Sequence, residues 1–144
     1  MDALKTLCEH GVTLDSMVNA GFALYVGDGS QMSIEGKKEE FSKMLTRQLR
    51  DPNVALLIEA AVHLDDKVKP EASGVFSDTQ DPSSLVADEL IGMSIAEFIA
   101  GKRGLFNYVR YDKEKPGIIA ELPPFLDDAI AALVAGCMTR LFEE

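Results

Sequence analysis

Two pairs of adjacent carboxylates are the residues of this sequence best suited to chemistry. Asp88-Glu89 sits between the apolar segments Leu85-Val86-Ala87 and Leu90-Ile91-Gly92-Met93. Neighbouring carboxylates on a buried helix are costly unless they are paired, protonated or bound to a cation. Asp81, Ser84 and Asp88 follow at i, i+3 and i+7, which places them on one helical face. Asp127-Asp128 precedes the apolar run from Ala129 to Met138, so this pair lies at the edge of a core. Plainer roles compete. Asp88 and Glu89 could reach through a gap to Lys or Arg, and acids in a first helical turn favour the helix dipole.

The basic residues Lys102, Arg103, Arg110, Lys113 and Lys115 form an island in a chain of net charge −10, and such an island is where an anion is drawn. Its plainer role is a solvated loop balanced by Asp112 and Glu114. Acid clusters beside a basic island suit one scheme: carboxylates hold a hard divalent cation, and the cation together with Lys and Arg holds a phosphate. Oxygen ligands without Cys/His clusters favour Mg²⁺ and disfavour zinc. Glu59 and His63, at i, i+4, could relay a proton but read more simply as a structural pair. His10 suits a helix end, and Cys137 suits core packing. The Gly27 to Lys37 segment misses P-loop spacing, and no GxSxG motif occurs.

Helical periodicity dominates, and it predicts helices over 2–9, 13–26, from Ser33 to Arg50, and over 52–66, 82–100 and 125–143, with a short helical piece opening at Pro116. Asp51-Pro52 and Asp81-Pro82 are matching start signals, an acid at the N-cap and proline at N1. Pro70 to Gln80 reads as a polar loop, and Gly104 to Asp112 is ambiguous. Helices 52–66 and 82–100 are apolar on most faces and read as buried. The expected architecture is a single all-α domain over residues 1–144, with a central buried helix surrounded by others.

With 144 residues, the chain is long enough for one hydrophobic core. Its acidity argues against nucleic acid or an anionic membrane as a partner. Cys8 and Cys137 make no disulfide framework, so a reducing cytoplasm is expected. The N-terminus carries no signal-peptide pattern, and the longest apolar run is about half of the ~20 residues a bilayer span needs. Stable membrane insertion is therefore not expected. The apolar surplus predicts a homo-oligomer, dimer or tetramer.

Three segments carry a resemblance. They are Asp81-Pro82-Ser83-Ser84-Leu85-Val86-Ala87-Asp88-Glu89-Leu90-Ile91-Gly92-Met93, then Gly104 through Asn107 and Asp112 to Lys115-Pro116-Gly117, then Phe125-Leu126-Asp127-Asp128. In this order and spacing the chain resembles the phosphatidylglycerophosphatase A family and its soluble YutG-like relatives, which include α-ribazole phosphatases of the CobZ type. The resemblance covers about residues 81–136 and implies a multihelical fold and a Mg²⁺-dependent phosphomonoesterase. It implies an acidic site of Asp81, Asp88, Glu89, Asp112, Asp127 and Asp128, with Lys115 beside it. The apolar spans of the membrane-bound members are missing, which favours a small soluble phosphate such as α-ribazole 5′-phosphate of cobalamin assembly over phosphatidylglycerophosphate.

Combining these readings, we expect Asp88, Glu89, Asp127 and Asp128 to bind Mg²⁺. Asp81 or Asp88 should orient or deprotonate water, and Lys115, Arg110 and Asn107 should meet the phosphate. Asp112, Asp65 and His63 are candidate supports. A non-enzymatic, metal-stabilised helical oligomer is the rival reading. Coordinates that bring Asp88 and Glu89 to Asp127 and Asp128 would support the scheme; acids pointing into bulk water or locked onto arginines would remove it.

Overall fold

Local capping explains where most of the helices begin. Asp2 accepts a hydrogen bond from the Lys5 amide and starts α1 (Ala3–Glu9). Thr13 and Ser16 exchange side-chain and backbone hydrogen bonds to open α2 (Leu14–Ala23). Ser33 caps α3 (Ile34–Arg50), and Asp51 caps α4 (Pro52–Lys67) by accepting from the Asn53 amide at 2.8 Å. In each case a side-chain oxygen satisfies an amide that the first turn leaves unpaired. The computed structural model describes residues 2–27, 33–68 and 85–143. The Asp81-Pro82 start signal, and with it Asp81, lies outside the described residues.

Helix α5 (Ala87–Glu114) is a hairpin rather than a rod. Its backbone breaks at Ala100 (φ −138°, ψ 16°) and Gly101 (φ +64°, ψ −151°), and the second pair of angles is open to glycine almost alone. On either side of the break two arms, 87–99 and 102–114, run antiparallel at close range. A Cβ on Gly92 would stand 2.4 Å from the Tyr108 hydroxyl, and one on Gly104 would stand 2.6 Å from the Ala96 carbonyl oxygen. The missing side chains are what allow the arms to touch. The ambiguous stretch Gly104 to Asp112 is thus the helical second arm, and the expected stop at Gly101 is a reversal. Lys115 follows in the left-handed region (φ +47°), and a 3₁₀ turn, Gly117–Glu121, leads to α6 (Pro124–Leu141).

Helix α6 is the central buried helix expected from the sequence. Every residue from Asp128 to Met138 is buried, and the α5 hairpin, α4, α3 and α2 all pack on it. Ala129, Ala131, Ala132, Ala135 and Gly136 keep its surface thin enough for neighbours on all sides; a Cβ on Gly136 would lie 3.1 Å from Ile99. The two helices read as buried on most faces are instead peripheral. Helix α4 exposes Leu56, and the first arm of α5, with the residue before it, exposes Val86, Leu90, Met93 and Phe98. The central position is taken by α6, so each of these elements has one face on the core and one outside it. Helix α2 also ends at Ala23, three residues short of expectation. Among the described residues the fold is all-α, with no strands.

Because Gly101 holds a conformation that a Cβ opposes, Gly101→Ala should lower unfolding free energy by about 1–3 kcal/mol, read by urea denaturation.

Candidate functional site

Four segments meet at the open end of the α5 hairpin. The start of the first arm supplies Asp88, the second arm and its exit supply Asp112 and Lys115, the first turn of α6 supplies Asp127 and Asp128, and α4 supplies Asp65. Asp112, Asp127 and Asp128 each place a carboxylate oxygen within 4.8 Å of the other two. Lys115 Nζ donates to Asp112 Oδ1 at 3.1 Å and to Asp127 Oδ2 at 3.0 Å. Asp128 is hydrogen-bonded to Asp112 and also to Asp88. Among the described residues, one oxygen of Asp88 (Oδ1) is buried without a hydrogen-bond partner, and so is the Tyr108 hydroxyl.

Asp65 holds this arrangement to the rest of the fold. The N-cap of α6 is Pro123, which offers no capping side chain. Asp65 reaches across from α4 instead: Oδ1 accepts from the Phe125 amide at 2.8 Å and Oδ2 from the Leu126 amide at 2.9 Å. A carboxylate at a helix N-terminus also complements the dipole. The turn that bears Asp127 and Asp128 is therefore anchored by a residue sixty positions upstream.

Crowding acids into a partly dry site shifts their proton affinities. Burial, and then a hydrogen bond to Asp112 and the charge of Asp127, push Asp128 up to about 11. It is a carboxylic acid near neutral pH and donates to Asp112. Burial also raises Asp112, but hydrogen bonds with Asp128 and Lys115 outweigh that, so it lies below the usual carboxylate range. Burial lifts Asp127 to about 6 against the opposing pull of Lys115. Burial lowers Lys115, but its bonds to Asp127 and Asp112 more than compensate, so it stays firmly protonated. Asp65 is raised by burial, only partly countered by the two amides it caps. One ammonium thus faces several carboxyl groups, and an all-oxygen donor set with excess negative charge fits a hard divalent cation.

The structure brings together most of the expected site. Asp88, Asp112, Asp127, Asp128, Lys115 and Asp65 share this one location. Glu89 stays exposed on the turn beside Asp88, and among the described residues no ion pair reaches either acid. Asn107 and Arg110 are placed elsewhere. Asn107 Nδ2 donates to the Ala135 carbonyl and Thr139 Oγ1, both at 3.1 Å, and Arg110 donates to the Leu24 carbonyl. They sit on another side of the second arm from Asp112, because residues two and five positions before it point away from it on a helix. The basic island is dispersed in the same way: Arg103 pairs with Glu143. His63 is exposed, and Glu59 accepts from Thr6 Oγ1 at 2.6 Å, so these two do not join the site. Sequence reading passed over Tyr108. Its signal was present: it stands one helical turn before Asp112, on the same face.

Asp127 and Asp128 bind protons more tightly when folded than at the ordinary value of 3.8. Folding is therefore favoured at low pH within this window, and stability falls as pH rises from about 4, through about 6 for Asp127 and onward toward about 11 for Asp128. In EDTA the Tm should be higher at pH 5 than at pH 8, and Mg²⁺ should restore part of the loss at pH 8. Asp65→Ala should cost about 3 kcal/mol of unfolding free energy, because two buried amides lose their acceptor; chemical denaturation reads it.

Comparison with known proteins places this geometry. The chain is 42% identical over 130 residues to the uncharacterised protein MJ1330 of Methanocaldococcus jannaschii, covering 88% of this chain and all of that one. It is 38% identical over 84 residues to the uncharacterised protein YpjQ of Bacillus subtilis, covering 54% of this chain and 46% of that protein. Two solved structures share the fold at 26% identity and a TM-score of 0.79. One is a protein of unknown function from Bacillus stearothermophilus, covering 98% of this chain and 96% of its own. The other is the low temperature requirement C protein from Listeria monocytogenes, covering 99% and 93%. The family profile of phosphatidylglycerophosphatase A matches residues 53–143, which include all the carboxylates gathered above. The chain belongs to the phosphatidylglycerophosphatase A family, a family of phosphatases.

Proposed function

We propose that this chain is a Mg²⁺-dependent phosphomonoesterase acting on a soluble phosphate, with α-ribazole 5′-phosphate as its substrate. The observation that carries the reading is the convergence of Asp112, Asp127 and Asp128 within 4.8 Å, beside a buried Asp88 oxygen that has no partner, in a member of a phosphatase family. Asp112, Asp127 and Asp128 would hold the cation, with Glu89 as an outer ligand at the rim. When bound, the cation polarises the phosphoryl group and balances its charge. The chain's own residues do the rest. Lys115 adds a fixed positive charge where the phosphate's negative charge collects. Asp88 Oδ1 accepts a hydrogen bond from the attacking water, orients it and takes its proton as the water oxygen bonds to phosphorus and the ester P–O bond breaks, the departing alkoxide taking up a proton from solvent. Asp65 keeps the first turn of α6 in place and touches no substrate.

Charge favours a small soluble substrate. At −10 the chain is repelled by an anionic lipid surface, and among the described residues no helix is long and apolar enough to cross a membrane. One observation favours a second reading, phosphatidylglycerophosphate as substrate. Val86, Leu90 and Met93 are exposed at i, i+4 and i+7, an apolar stripe that could rest on a bilayer. A second copy of the chain could cover the same stripe, in keeping with the proposed dimer or tetramer.

Asp88→Asn should reduce Mg²⁺-dependent phosphate release by at least about 100-fold while the helical circular dichroism persists; wild-type turnover in this variant would refute the scheme. In a panel containing α-ribazole 5′-phosphate and phosphatidylglycerophosphate, the first should be hydrolysed and anionic vesicles should not co-sediment the protein. Vesicle binding with lipid hydrolysis would establish the second reading. Silence across the panel, with an EDTA-lowered Tm, would point to a metal-stabilised structural protein.

A further inference from the structure

Tyr108 has no part in the scheme so far, and its position is unusual. Its side chain is 3% exposed, yet its hydroxyl has no hydrogen-bond partner. A buried, unpaired hydroxyl costs free energy, so such a group is normally retained only where something else satisfies it. The hydroxyl lies one helical turn in from the acids on both arms: it packs against Gly92, one turn after Asp88, and Tyr108 itself stands one turn before Asp112 on the same face. Burial holds it protonated, so it remains a donor. Gly92 makes room for it, since even a methyl group there would lie 2.4 Å away. The site's other orphan is an acceptor, Asp88 Oδ1, 5% exposed at the residue level. One donor and one acceptor, both buried and both unsatisfied among the described residues, stand on opposite arms of one hairpin within a helical turn of each other.

We infer that Tyr108 is a phosphate-binding residue, its hydroxyl donating a hydrogen bond to a non-bridging oxygen of the phosphoryl group held at this site. The assignment rests on the proposed phosphatase reading and extends it to the recognition of phosphate. An oxygen-rich dianion can lie among carboxylates when Lys115 and a divalent cation balance the charge, and the tyrosine then adds direction and selectivity for a tetrahedral oxyanion. The hydroxyl makes the same bond to substrate and to transition state, so it supplies uniform binding rather than rate.

The test is Tyr108→Phe, which removes one oxygen and keeps the ring that packs against Gly92. In EDTA the variant should melt at or above the wild-type temperature, because the lost hydroxyl is unpaired in the empty site. With Mg²⁺ present, affinity for inorganic phosphate, measured by calorimetry and by the phosphate-induced rise in Tm, should fall about tenfold or more. KM for a hydrolysed monoester should rise by a similar factor with kcat nearly unchanged. Gly92→Ala, which displaces the hydroxyl without removing it, should reproduce the phosphate defect. Undiminished phosphate affinity in Tyr108→Phe, a several-degree loss of Tm in EDTA, or a wild type that takes up no phosphate would each overturn the assignment. A wild type that binds phosphate through Tyr108 yet releases none from any monoester would instead remove the phosphatase reading and leave the assignment intact.

Discussion

Mutual repulsion among five carboxyl groups gathered around one lysine is the constraint that shapes this molecule. In a medium less polar than water, like charges a few ångströms apart oppose one another strongly. The structure gives each acid a different means of relief. Asp65 takes two backbone amides. Asp112 and Asp127 share the Lys115 ammonium, and Asp128 keeps its proton. Asp88 alone retains an oxygen with nothing to accept from. Relief is thus nearly complete in the protein by itself, and the part left undone is one acceptor without a donor.

Holding such a group together demands a frame that does not yield. Helix α6 provides it: the acids stand on its first turn, and the next ten residues are buried without interruption. Repulsion at one end is opposed by apolar burial along the whole helix, each buried methylene worth about 0.8 kcal/mol. The cross-chain cap from Asp65 ties that first turn to α4 as well. Polar convergence and core packing are therefore one construction, with the same helix serving both.

Much of this could be read in advance, and the exceptions have physical causes. Helix starts at Asp2, Thr13, Ser33 and Asp51 were legible because capping chemistry is local. The pairing of Asp88 with Asp127-Asp128 was legible because charge in an apolar setting needs explanation wherever it occurs. What was not legible depended on direction. Asn107 and Arg110 lie close to Asp112 in sequence, but helical phase turns them toward α6 and α2. Arm-to-arm contact through Gly92 and Gly104 leaves no periodic trace, so the hairpin could be recognised only in three dimensions, whereas Tyr108 was signalled by its spacing from Asp112 and passed over. The buried character of 52–66 and 82–100 was overstated because hydropathy counts apolar residues without knowing which helix will win the centre.

The reversal at Gly101 also acts as a fulcrum. From there to Asp88 the first arm is about 20 Å long, at 1.5 Å per residue, so a change of about 5° between the arms would move its far tip by about 2 Å. A hydrogen bond such as the one Asp88 shares with Asp128 tolerates only a few tenths of an ångström. The tight contact of Gly92 with Tyr108, well out along the arms, restrains that swing better than the one of Gly104 with Ala96 near the pivot, because slack far from the fulcrum is magnified least at the tip.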